Sequence, residues 1–224
     1  MRGLELDTPH GLARVHLHAV DSPVGVLVLG HGAGGGVEAP DLIGATEAAR
    51  SAGLSVALME QPYRVAGRRS PAPAKQLDAA WCAVISQLRD RPLGGIDVLL
   101  TGGRSAGARV ACRTAAETDS VAVLCLAFPL HPPGRPEQSR LEELDAVTVP
   151  TLVVQGESDP FGLPPEGPNR TVVRVPGTHS LRNSDSVATA VSEWLASHPP
   201  LHSSIRSAQN AAARSTSPRS TDSS

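Results

Sequence analysis

Ile96-Asp97-Val98-Leu99-Leu100-Thr101-Gly102-Gly103-Arg104-Ser105-Ala106-Gly107-Ala108-Arg109-Val110-Ala111-Cys112 decides the fold. Residues 96–101 form an apolar run that reads as a buried strand. Residues 108–117 read as a helix. Between them lies Gly-x-Ser-x-Gly, a turn too sharp for side chains at its flanks, hence the glycines. In a strand–turn–helix setting this pattern lifts a serine hydroxyl above a sheet, at the positive end of the following helix.

Two downstream segments complete the pattern. Thr151–Gln155 reads as a strand that runs into Gly156-Glu157-Ser158-Asp159-Pro160, a loop carrying an acid. Thr171–Val175 reads as the next strand, running into Pro176-Gly177-Thr178-His179-Ser180, a loop carrying a base. A serine hydroxyl needs a neutral imidazole to take its proton, and the imidazole needs a carboxylate to fix its tautomer. The chain order Ser…Asp…His assigns these roles to Ser105, Asp159 and His179. Glu157 is the near competitor for the acid.

Upstream, Val26–Leu29 is an unbroken apolar run, as a parallel strand covered on both faces requires. It enters Gly30-His31-Gly32-Ala33-Gly34-Gly35-Gly36. A loop of this kind supplies one backbone N–H to a developing oxyanion, and the residue after the nucleophile supplies another. The donors are therefore the N–H groups of Ala33, or a neighbour, and of Ala106. His31, Tyr63, Arg104, His131 and Phe161 occupy loops expected to border the site and are the candidate substrate contacts. Arg104 and Arg109 are also placed to orient the turn by ion pairing. A competing reading takes Gly30-x-Gly32-x-x-Gly35 as a dinucleotide fingerprint, with Glu60 as the ribose-binding acid of an NAD(P)-dependent oxidoreductase. It leaves Ser105, Asp159 and His179 without a role. A third keeps the fold as a non-catalytic binding domain.

The remaining elements alternate. Leu4–Thr8 and Leu12–Ala19 read as an antiparallel pair turned near Pro9-His10-Gly11. A helix over about Asp41–Ser51, a strand Ser55–Met59, a long loop Glu60–Pro73, a helix over about Ala74–Leu88 and a strand Val121–Leu126 follow. A short helix over Gln138–Leu144 and a helix Asp185–Ala196 complete the set. The implied architecture is α/β: a three-layer αβα sandwich with a mostly parallel sheet and helices on both faces. The segment between residues 127 and 150 is too short for a separate cap domain, so the site should be open.

The chain has 224 residues, enough for one domain with a sizeable core. Net charge is −2, which gives no global reason to expect nucleic acid or an anionic membrane as partner. Aromatics make up only 2%, so the core must be Val, Leu and Ala, and a base-stacking surface is excluded. No apolar run reaches the ~18 residues of a membrane span. Acids in the first residues do not suit a signal peptide, so a cytoplasmic location is expected. Cys82, Cys112 and Cys125 read as reduced, buried thiols. His16 and His18 alternate on one strand face without a visible third ligand, and no metal site is expected. Oligomeric state is not legible.

The motif set resembles the α/β-hydrolase fold over residues 4–197. Gly30–Gly35, Gly102–Arg109, Phe128-Pro129-Leu130-His131-Pro132-Pro133-Gly134 and Gly156-Glu157-Ser158-Asp159-Pro160-Phe161-Gly162 resemble one compact, lidless branch. That branch includes dienelactone-hydrolase-like bacterial proteins and testis-expressed-protein-type hydrolase domains. The resemblance implies a serine nucleophile and a triad but little about substrate. The short segment between residues 127 and 150 leads instead to the expectation of a small acyl ester or thioester, and no cofactor is expected. Well-characterised dienelactone hydrolases carry cysteine where this chain has Ser105.

The domain is expected over residues 1–198, followed by a Ser/Arg-rich tail, 199–224, with almost no large apolar groups. Such a segment cannot bury enough surface to offset chain entropy. Deleting residues 199–224 is expected to leave the Tm nearly unchanged in a thermal melt; a fall of several degrees would show that the tail packs on the domain.

Overall fold

The computed structural model describes residues 2–90 and 98–198. The tail, and the first two residues of the strand expected before the serine turn, lie outside them. Among the described residues eight strands form one sheet: β1 (Arg2–Thr8), β2 (Gly11–His18), β3 (Gly25–Gly30), β4 (Leu54–Glu60), β5 (Leu99–Arg104), β6 (Ala122–Leu126), β7 (Thr151–Gly156) and β8 (Arg170–Val175). Their spatial order is β1-β2-β4-β3-β5-β6-β7-β8. The β1–β2 hairpin and the β2–β4 pairing are antiparallel, and every pairing from β4 to β8 is parallel.

Among the described residues six helices cover the sheet: α1 (Pro40–Ser51), α2 (Pro62–Val65), α3 (Ala74–Asp90), α4 (Ala106–Thr114), α5 (Leu141–Asp145) and α6 (Ser184–Ser197). The strands' period of two distributes their side chains between two cores. Leu27 and Leu29 pack with α1 and α6, while Val26 and Val28 pack with α3 and α4. Both faces are buried, so β3 has no polar alternation to display. The architecture is the expected αβα sandwich without a separate cap domain.

Several expectations change in detail. The long loop Glu60–Pro73 contains the helical turn α2, begun at Pro62, whose fixed φ suits a first helical position. The helix after the serine starts at Ala106, immediately after the turn. Cys112 and Cys125 are buried with their sulfurs 3.5 Å apart, but Cys82 is only half-buried.

The chain goes outward from β3 to β4 and then returns to the other side of β3 for β5. The loops leaving β3 and β5 therefore diverge, opening a crevice at the carboxyl ends of the strands. The two strands approach very closely there. A Cβ at Gly103 would lie 2.5 Å from the Gly30 carbonyl oxygen, and one at Gly107 would also strike that oxygen. The glycines of the turn are required by the neighbouring strand as well as by the bend.

Gly107→Ala is expected to destabilise the fold by about 3 kcal/mol, because backbone on both sides must shift. Gly35→Ala, where an added Cβ meets nothing within 4 Å, should cost little. Urea unfolding of the two variants checks the contrast.

Candidate active site

Ser105 follows β5 and sits at the N-cap position of α4 with φ 51° and ψ −107°. A non-glycine residue in that region is strained, and the turn is held by the Ser105 N–H donating to the Leu126 carbonyl at 2.9 Å. The side chain does not cap α4. Its Oγ lies 2.9 Å from His179 Nε2.

The loop after β8 brings His179 to the serine from 74 residues away. His179 Nδ1 lies 2.8 Å from Asp159 Oδ2. The Asp159 side chain is fully buried. It also accepts from the Phe161 N–H at 2.8 Å and from Gln155 Nε2 at 2.8 Å. Every one of these partners is a donor, so the carboxylate acts only as an acceptor. This puts the imidazole proton on Nδ1 and leaves the Nε2 lone pair toward the serine hydroxyl. Glu157, the rival acid, is exposed.

Gln155 was not legible as a site residue. Its buried Nε2 also lies within hydrogen-bond distance of the carbonyls of Phe128 (3.0 Å) and Gly162 (2.9 Å). The available signal was one amide within the otherwise apolar end of β7.

The glycine-rich loop is held from behind. The neutral His31 ring accepts the Gln61 N–H at Nε2 (3.0 Å), so its own proton is on Nδ1, facing the Gly32 carbonyl at 2.7 Å. That carbonyl shares a peptide plane with the Ala33 N–H, so the ring sets the direction of this donor. The Tyr63 hydroxyl donates to the Ala33 carbonyl at 2.8 Å. Ala106 is the first residue of α4, and its N–H is one of the donors that a helix leaves without an internal partner.

Arg104 joins three segments. Its Nε lies 2.8 Å from the buried Asp41 Oδ2 at the start of α1, although the pair is poorly aligned as a hydrogen bond. Its Nη2 donates to the His179 carbonyl at 3.1 Å. Its Nη1 abuts Gly32, where an added Cβ would lie 2.6 Å away. Burial pushes the Asp41 carboxyl up to about 6 despite the guanidinium beside it. Arg109 ion-pairs with Glu143 on α5 at 2.6 Å.

Ser105, Ala106 and Ala33 share the wall of an open cavity of about 230 Å³. Of the five candidate substrate contacts, Phe161 lines it and also stacks on the His179 ring at 4.1 Å between centroids. The other four do not line it. His31 and Tyr63 support the glycine loop, Arg104 ties the loops together, and His131 lies against Gly162 with Nδ1 2.9 Å from the Pro132 carbonyl. His16 faces Glu60 at 3.0 Å. A cavity of about 340 Å³ beside Tyr63 and Arg68 is separated from the serine by Ala72 and Leu77, which line both.

The family model of the alpha/beta hydrolase domain matches residues 23–185. The chain belongs to this family. No curated protein matches the sequence of this alpha/beta hydrolase domain protein. Among solved structures it is similar to an α/β serine hydrolase without a lid from Xanthomonas campestris, at 23% identity and TM-score 0.69, covering 87% of this chain and 93% of that one. Est1E from Butyrivibrio proteoclasticus is 17% identical at TM-score 0.70, covering 87% and 97%. A dienelactone hydrolase from Anabaena variabilis is 19% identical at TM-score 0.67, covering 87% and 96%. Among the described residues no helix is long and apolar enough to cross a membrane.

The two buried titrating groups behind the site act on stability with opposite sign. Burial lowers the His31 pKa, so its contribution is complete above the free imidazole value near ~6.5 and is lost as pH falls below it. Asp41 is raised, so its contribution is complete below its free value of 3.8 and is lost as pH rises through about 6. In urea titrations between pH 7 and 5, His31→Gln should show a shallower loss of stability with acid than the wild type. An unchanged slope would mean that His31 is not held neutral.

Proposed function

We propose that this protein is a serine hydrolase of the carboxylesterase or thioesterase type, acting on small acyl substrates through an acyl-enzyme. The observation that carries this reading is the His179 ring hydrogen-bonded at one nitrogen to Ser105 and at the other to the buried Asp159. Ser105 attacks the carbonyl carbon, and His179 takes the hydroxyl proton through Nε2. His179 then returns that proton to the departing alcohol or thiol. Asp159 keeps the ring in the productive tautomer and stabilises the imidazolium. The Ala33 and Ala106 N–H groups receive the negative oxygen, each such donor contributing about 3–4 kcal/mol to the barrier reduction. Water then repeats the sequence on the acyl-enzyme.

The open cavity and the short segment between β6 and β7 favour soluble substrates over long acyl chains. The dinucleotide reading finds no support in the glycine loop. α1 begins only at Pro40, and a Cβ added at Gly35 would meet nothing within 4 Å. A fingerprint glycine would press the helix onto the strand there; that contact is made by Gly107 against Gly30 instead.

A fluorophosphonate probe should label the wild type and not Ser105→Ala. Ser105→Ala and His179→Ala should each lower kcat on p-nitrophenyl acetate by about four to six orders of magnitude, and the double variant little further, because the groups act as one unit. Asp159→Asn should be severely impaired while the exposed Glu157→Gln keeps most of its activity. Labelling and hydrolysis that persist in Ser105→Ala would refute the mechanism.

A further inference from the structure

The cavity beside Ser105 carries three arginines on its wall, Arg109, Arg113 and Arg140. Two are already neutralised. Arg109 makes a two-pronged contact with Glu143 at 2.8 and 2.6 Å. Arg113 does the same with Asp78 at 2.9 and 2.6 Å, and also reaches Glu143 at 3.2 Å. Arg140 differs. Its Nη1 donates to the Pro129 carbonyl at 3.0 Å, and among the described residues no carboxylate forms an ion pair with it. Three guanidinium charges thus meet two carboxylates, leaving an excess of one positive charge, half-buried, on the wall that also holds the serine. Burial, then the charge of Arg109, pull the Arg140 pKa down, and the nearby charge of Glu143, already paired with Arg109 and Arg113, offsets them only in part.

A guanidinium matches a carboxylate in shape and charge, and one with unused N–H donors is prepared for it. The rest of the wall, including Leu77, Ala72 and Phe161, is apolar. We propose that the preferred substrate carries a carboxylate on its acyl portion, held by Arg140, with a short apolar spacer between that anion and the scissile ester or thioester. This rests on the serine-hydrolase reading above and names the substrate class for the same site. The substrate is thus a hemiester or hemithioester of a short dicarboxylic acid, and hydrolysis releases the dicarboxylate.

The test compares p-nitrophenyl hemisuccinate, hemiglutarate and hemiadipate with neutral p-nitrophenyl esters of matching length, in wild type and Arg140→Gln. The wild type should favour the best charged ester in kcat/KM by about tenfold or more, the scale of one charge-assisted pair. Arg140→Gln should reduce that ratio about tenfold, and added salt should shrink it in the wild type. A wild-type ratio near one, or a ratio unmoved by Arg140→Gln, overturns the proposal. Calorimetric titration of glutarate against pentanoate, in wild type and Arg140→Gln, reads the same preference without turnover. Tighter glutarate binding lost in Arg140→Gln supports the anion site even where no ester is cleaved, a result that would count against the hydrolase reading alone. Glutarate binding left unchanged by Arg140→Gln rejects the anion site. Fluorophosphonate labelling of Ser105 reports separately on the nucleophile.

Discussion

The contact that the rest of the site depends on is backbone against backbone: the Gly30 carbonyl pressed against Gly103 and Gly107. It lets the elbow between β5 and α4 pack directly on the end of β3. At this closeness the glycine loop after β3 and the N-terminus of α4 can present N–H groups to one small volume. Any side chain at those glycines would separate the two loops and with them the two donors. The strained backbone of Ser105 persists because its surroundings over-determine it. Its N–H is tied to β6, and its hydroxyl meets an imidazole oriented from the far edge of the sheet.

Polar side chains then transmit order between the loops around the site. Arg104 reaches the first turn of α1, the Gly32 peptide and the His179 carbonyl. His31 and Tyr63 fix successive peptides of the glycine loop, and Gln155 spans the acid and two loop carbonyls. Such networks are costly when incomplete, since each buried polar group lost from its partner keeps its desolvation penalty. Asp41 shows the cost directly: even beside Arg104, its carboxyl remains harder to ionise than in water.

The sequence was most legible where one residue type has few alternatives. The apolar runs marked the strands of the parallel sheet, and the Gly-x-Ser-x-Gly turn marked the serine. The candidate acid and base could be read because they follow strands in a fixed chain order. The supporting residues were not legible for a common reason. Arg104, His31 and Tyr63 lie in or next to segments read as site loops and carry groups suited to substrate, but whether they face the cavity or the loop behind it depends on tertiary placement. Gln61 and Gln155 gave no periodic or motif signal at all. The helical turn at Pro62 was missed because four residues are too few to show a period.

The short segment between β6 and β7 has a further physical consequence. In place of a cap, α5 clamps the outer face of α4 through Glu143, which takes Arg109 and Arg113, while Asp78 on α3 takes Arg113 as well. These half-buried pairs fasten α3, α4 and α5 around the helix whose N-terminus faces the candidate oxyanion position. Charge pairs join the buried Leu144 in closing this side, so the cavity mouth inherits guanidinium groups as a by-product of holding α4 in place. The same residues thereby link the rigidity of the elbow to the polarity of the entrance. Replacing Glu143 would loosen the helix and add unpaired positive charge at the mouth in one step, whereas Arg140 can change the charge of the mouth without breaking a carboxylate pair.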